Sequence, residues 1–133
     1  MYPGAATGDG RRVIGIGIDA VDIERFRRVL ARTPALARRL FTDDERAYAA
    51  RFANSAPRLA GRFAAKEATM KALGVGLGAF GFHDVEVVRD PSGAPSLTVR
   101  GAAAALAGEQ GVTGFRVSIT HTALSAHAVV ATL

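Results

Sequence analysis

The run VIGIGI (13–18) sets β-branched residues and glycines side by side without a charge, and reads as a buried strand ending at Asp19. Beyond it the period lengthens. In VDIERFRRVLAR (21–32), Ile23, Phe26 and Leu30 fall on one helical face, with Asp22 placed to cap it. TPALARRLF (33–41) predicts a second helix, with Thr33 as N-cap and Pro34 at the first helical position. In TDDERAYAARF (42–52), Thr42 and Glu45 have the spacing of a capping box, and the acidic first turn suits a helix N-terminus. Pro57 opens a long helix that Gly74 closes.

The second half alternates differently. VGLGAFGF (75–82) is a glycine-rich loop, and DVEVVRD, the PSGAP turn and SLTVR form a hairpin. GAAAALAGEQG (101–111) is a short helix, and FRVSITHTALSAHAVVATL (115–133) gives two alternating strands around a turn near Leu124 and Ser125. The order strand, helices, hairpin, helix, hairpin specifies an α+β domain with a mainly antiparallel sheet packed with helices. It does not specify a doubly wound parallel one.

The long helix breaks its own pattern. Within and beside FAAKEATMKALG (63–74), Leu59, Phe63, Met70 and Leu73 make one apolar stripe. Lys66 falls in the middle of that stripe, Glu67 and Lys71 flank it one turn apart, and alanines fill most other faces.

Composition narrows the class. A chain of 133 residues is most simply one domain, long enough to bury about 65–70% of its unfolded surface. We take residues 1–12 as a disordered leader, because they have no apolar signal-peptide core, and residues 13–133 as the domain. No apolar run approaches a membrane span, so a cytoplasmic protein is expected. The absence of cysteine excludes disulfides, zinc–thiolate sites and cysteine nucleophiles. The net charge of +5 is unevenly spread: residues 1–71 hold 14 Lys and Arg against 8 Asp and Glu, and residues 72–133 hold 3 against 4. A basic helical half suits an anionic cofactor, an acidic protein or nucleic acid. For nucleic acid there is neither an aromatic stacking pattern nor a binding motif.

Two carboxylates stand out. Asp19 follows a strand of apolar residues and glycine, where a carboxylate must be paired, capping or metal-bound. Glu67 precedes Lys71 by four residues, the favourable order for a helical ion pair. Taken together they suit Mg2+, which one or two carboxylates hold while substrate phosphates and waters complete the shell. Lys66 and Lys71 would suit the anionic ligand, although Lys66 can instead snorkel along the helix. His121 shares a strand face with Phe115, Val117 and Ile119, so it is either a core histidine or a ligand contact at the turn. His83, His121 and His127 lack metal-ligand spacing, and the glycine loop matches no phosphate-binding pattern. Ser118 sits in no nucleophile elbow.

GIGIDAVDIERF (15–26), GRFAAKEATMKALG (61–74) and VSITHT (117–122) together resemble the holo-acyl-carrier-protein synthases, small phosphopantetheinyl transferases. The resemblance runs from Val13 to the C-terminus and is most specific in the middle segment. It implies the 4'-phosphopantetheinyl transferase-like fold and transfer of 4'-phosphopantetheine from coenzyme A to a serine of an apo acyl carrier protein, releasing 3',5'-ADP. By the resemblance, Asp19 and Glu67 bind the metal, and Lys71 contacts the coenzyme A phosphates and assists catalysis. His121 and Thr122 lie near coenzyme A, and Arg62 and Lys66 are further contacts within the middle segment. Arg25, with Arg28, Arg32 and Arg39, would face the acidic carrier. A homotrimer with intersubunit active sites is also implied. Some members carry an acidic residue directly after the histidine; here that residue is Thr122, so no base stands there.

Overall fold

The computed structural model describes residues 10–133, so the first nine residues of the expected leader lie outside the described residues. The first strand, β1 (Gly15–Asp22), leads directly into α1 (Ile23–Arg32). Two short helices follow, α2 (Ala35–Leu40) and α3 (Asp43–Ala49), then the long α4 (Ala56–Ala72). A single 3-10 turn (Phe82–Asp84) enters the hairpin of β2 (Val85–Arg89) and β3 (Pro95–Val99). Helix α5 (Gly101–Glu109) and the hairpin of β4 (Phe115–His121) and β5 (Ser125–Thr132) complete the chain. Among the described residues the strands form an antiparallel sheet in the order β1-β5-β4 and a separate β2-β3 ribbon.

The α+β class holds, and α4 is its axis. Ala64, Ala65, Ala68 and Ala72 of α4 are buried against Ala128 and Val130 of β5. Opposite them, β1 presents Gly15 and Gly17 rather than side chains. A Cβ on Gly15 would run into the Ala72 carbonyl, and one on Gly17 would stand 2.7 Å from Ala72 N and 2.9 Å from Lys71 Cβ. The alanines of the helix and the glycines of the strand therefore have one cause: backbone meets backbone there.

That close approach corrects the reading of VIGIGI as a buried strand. The glycines face inward, whereas Ile16 and Ile18 point away from α4 and are 68% and 66% exposed. The strand is also displaced, running to Asp22 because all eight residues from Gly15 pair with β5. Ile14 makes only one flanking bond, from its N–H to Thr132 O at 2.7 Å. Pairing sets the length of a strand; local apolarity does not.

Of the other expected boundaries, the third helix stops at Ala49 rather than Phe52, Ser125 already belongs to β5, and the capping signals stand with one exception. Asp22 Oδ1 accepts the Arg25 N–H at 2.8 Å, and the Thr42–Glu45 capping box is complete. Pro57 lies in the first turn of α4, and Gly74 leaves its end at φ +73°, where Val75 N–H reaches Met70 O at 2.9 Å. Thr33 is not the cap of α2, because its N–H still closes α1 on Val29 O; Pro34 takes the N-cap position.

Around α4 the core divides into the sheet contact and two larger-residue clusters. One joins Ile23, Phe26, Leu40 and Phe41 to the start of α4, and the other joins Met70, Leu73, Phe80 and Val85 to α5. Among the described residues no helix is long and apolar enough to cross a membrane.

Candidate active site

Alternation along β1 delivers Asp19 to the site. Gly15, Gly17 and Asp19 share the face toward α4, so the glycine contact that draws the helix in also brings Asp19 beside it. From α4, the Lys71 ammonium donates to Ile18 O at 2.9 Å and to Asp19 Oδ1 at 3.1 Å. Glu67 stands one turn earlier on the helix. Burial pushes its carboxyl above the usual carboxylate range, Asp19 pushes the same way, and Lys71 opposes them. Two carboxylates and an ammonium are thus gathered from elements far apart in the chain. Among the described residues no group of three or more His, Cys, Asp or Glu could hold a metal, so an ion here would take two protein carboxylates.

Asp19 and Glu67 open onto a groove of about 730 Å³. Its walls include Arg25, Val29, Leu36, Leu40, Phe63 and Phe82. Phe63 is stacked between Phe26 and Phe82, with ring centres 5.2 and 5.8 Å away. The aromatic wall was not legible as a site. Phe63 reads as one more core residue in the α4 stripe, and Phe82 lies at the end of a glycine-rich loop.

Arg62 and His121 belong to another cavity. They line a pocket of about 100 Å³ with Gly61, Arg89 and Ile119. Arg62 is 5% exposed and lies 4.2 Å from the centre of the Tyr48 ring. Its Nε has no hydrogen-bond partner, and burial lowers its pKa while Tyr48 and Glu45 oppose the shift. His121 also borders a shallower depression with Arg58 and Thr122, where the Arg58 guanidinium lies 4.0 Å from the Phe52 ring centre. Arg58 carried no sequence signal beyond its charge. The Thr122 hydroxyl accepts the N–H groups of Leu124 and Ser125, both at 3.1 Å, and so holds the β4–β5 turn.

Lys66 departs from both readings made of it. It does not snorkel outward, and its ammonium has no room for a coenzyme contact. The residue is 0% exposed, and Nζ donates to Glu45 Oε1 at 2.7 Å, Phe82 O at 2.8 Å and Val85 O at 2.6 Å. Three N–H bonds to three acceptors exhaust an ammonium. The burial lowers its pKa, and Glu45 opposes the shift.

The candidate docking arginines are where the helical pattern places them. Arg25, Arg28 and Arg32 are exposed along α1, and Arg39 is exposed on α2. Arg27 is engaged by Glu24 and by Asn54 Oδ1, the latter at 2.9 Å.

The family model of the 4'-phosphopantetheinyl transferase superfamily matches residues 15–128. The chain belongs to this family. A holo-[acyl-carrier-protein] synthase from Salinispora arenicola is 50% identical over 109 residues, which cover 82% of this chain and 88% of the relative. The crystal structure of holo-[acyl-carrier-protein] synthase from Neisseria meningitidis aligns with TM-score 0.83 and 31% identity, over 92% of this chain and 99% of that one. That from Helicobacter pylori, a complex with coenzyme A, aligns with TM-score 0.78 and 31% identity, over 89% and 99%. The fold is therefore that of the phosphopantetheinyl transferases, and the enzyme is of the holo-[acyl-carrier-protein] synthase type.

Proposed function

We propose that this transferase moves 4'-phosphopantetheine from coenzyme A to a serine of an acidic apo acyl carrier protein, releasing 3',5'-ADP, and that it requires Mg2+. The observation that carries the reading is the convergence of Asp19, Glu67 and Lys71 at the mouth of a groove whose wall holds Arg25. The two carboxylates fit a divalent ion, since burial first and the neighbouring Asp19 second raise the cost of charging Glu67, a cost that a bound cation would offset. Bound there, Mg2+ would neutralise charge on the diphosphate oxygens.

The protein's own groups supply the rest. Lys71 presents an ammonium beside Asp19, partly solvent-exposed, and can turn it toward a phosphate. The stacked phenylalanines make one side of the groove apolar, which suits the pantetheine arm and excludes water from the transfer. Arg62, with its unpartnered buried Nε, and His121 line a second cavity suited to another anionic part of coenzyme A. In the transfer, the carrier serine Oγ bonds to phosphorus as the phosphoanhydride bond breaks. The 5'-phosphate of 3',5'-ADP keeps the electron pair, and the serine proton leaves to solvent or a site base. The nucleophile comes from the partner, in keeping with the lack of a nucleophile elbow here.

Arg25, Arg28, Arg32 and Arg39 form the face we assign to the carrier, where opposite charge speeds encounter and sets orientation. Two features support a homotrimer with sites shared between subunits. Ile16 and Ile18 leave an apolar sheet face uncovered in one chain. The Asp19–Glu67 groove and the Arg62–His121 cavity are also separate within a chain, so a neighbour can bring them together. The test is incubation with apo carrier protein, coenzyme A and Mg2+, read by intact mass. Phosphopantetheine addition is expected; no adduct on any of several carrier types overturns the proposal.

A further inference from the structure

Lys66 is the one charge of the middle segment that the transfer chemistry leaves unused, yet it is the most fully engaged. Its ammonium ties together four elements. It holds the carbonyls of Phe82 and Val85, which bracket the 3-10 turn, and Oε1 of Glu45 from α3. Glu45 spreads the connection: Oε1 also accepts Thr42 N–H at 2.9 Å, and Oε2 accepts Val87 N–H at 3.0 Å. Both side chains are 0% exposed. Phe82, placed by the first of these carbonyls, stacks on Phe63 and walls the groove that holds Asp19 and Glu67. Val87 lines the cavity of Arg62 and His121. The pair therefore lies between the two cavities and touches a wall of each.

We infer that Lys66 and Glu45 are positioning residues for the groove of Asp19 and Glu67, acting through Phe82: the ammonium sets the depth of the 3-10 turn and hence where the Phe82 ring stands relative to Glu67. The helix is stiff, so Lys66 and the next residue, Glu67, move together, and the Lys66–Phe82 bond fixes the Phe82 wall relative to that carboxylate. A buried ion pair adds little net stability over an apolar pair of the same shape, whereas removing one partner leaves an uncompensated charge. Stability and positioning can therefore be separated. This inference rests on the carrier-transferase reading.

The experiment compares wild type, Lys66→Met, the double variant Lys66→Met/Glu45→Gln and Phe82→Ala, alone and combined with the double variant. Thermal midpoint, kcat and coenzyme A KM are measured, the kinetics at saturating carrier and Mg2+. Lys66→Met should melt well below wild type, and adding Glu45→Gln should recover most of the loss by removing the stranded carboxylate. Coenzyme A KM should nevertheless stay raised about tenfold in the double variant, with kcat changed by less than about threefold, as expected when a groove wall is misplaced. Phe82→Ala should raise KM similarly and add little on top of the double variant, because both act on one wall. A double variant with wild-type coenzyme A KM, additive effects of the two changes, or a double variant that does not fold would each overturn the inference. Failure of the underlying reading would appear differently, as wild-type protein inactive towards every carrier.

Discussion

Lys71 Nζ stands 3.1 Å from Asp19 Oδ1, a contact across 52 residues of sequence that ties the middle of β1 to the last turn of α4. It exists because Gly17 lets the helix approach until backbone meets backbone. Glu67 is drawn close enough to feel both charges, although the ammonium bonds Asp19.

For that reason Asp19→Asn and Glu67→Gln should each lower kcat at least about tenfold, as loss of a metal-holding group commonly does. Raising Mg2+ should restore part of the activity in each. Turnover equal to wild type at limiting Mg2+ in either variant removes the metal assignment.

Glu67 also gives a pH signature in metal-free protein. Its carboxyl is raised above the ordinary 4.5, so the folded state binds the proton more tightly than the unfolded one. Its contribution is favourable below about pH 4.5 and is lost as pH rises through the folded value. In chelator, Glu67→Gln should therefore melt higher than wild type at neutral pH and no higher near pH 4. Parallel melting curves at the two pH values would show that the carboxyl is not strained. Adding Mg2+ should stabilise wild type at neutral pH and leave Glu67→Gln little changed.

Gly17→Ala tests the contact beneath the site. The added Cβ meets helix backbone, which cannot step aside as a flexible side chain would. A loss of at least about 1–3 kcal/mol is expected, the usual range for overpacking. Gly76→Ala, where a Cβ meets nothing within 4 Å, serves as the control. Similar denaturant midpoints for the two variants would rule out the close approach.

Arg25→Glu should raise carrier KM roughly three- to tenfold at low salt, and less at high salt where exposed charges are screened. Coenzyme A KM should change less than carrier KM, although Arg25 also walls the groove. A salt-independent effect, or none, would move the carrier to another face.

Ile18→Asp places a charge on the uncovered sheet face without touching the core. We expect the proposed trimer to dissociate, by light scattering after size exclusion, with activity falling in step. A variant that stays trimeric excludes this face as the interface.

Much of the chemistry was legible one residue at a time. Asp19 sits where an unpaired carboxylate is costly, Glu67 stands one helical turn before Lys71, and the charges of GRFAAKEATMKALG have no place in an ordinary alanine-rich helix. The capping signals at Asp22, Thr42 and Glu45 act over three residues, so local sequence decides them. The orientation of β1 was not legible, because an alternation of isoleucine and glycine says which residues share a face but not which face meets the helix. Only packing against alanines settled that glycine faces in. Lys66 shows the same limit. An ammonium on an apolar stripe can reach outward or inward, and the partner that decides, Glu45, lies 21 residues away on α3.

By itself, then, the sequence determined the helices and hairpins, the caps at Asp22 and Thr42, the α+β class and the family-bearing segments, all of which depend on neighbours within a few positions. Only the tertiary structure decided which carboxylates meet, which isoleucines are left bare and where the Lys66 charge is neutralised. Those outcomes depend on distances between elements, and such distances are set by side-chain volume and charge pairing across the whole core.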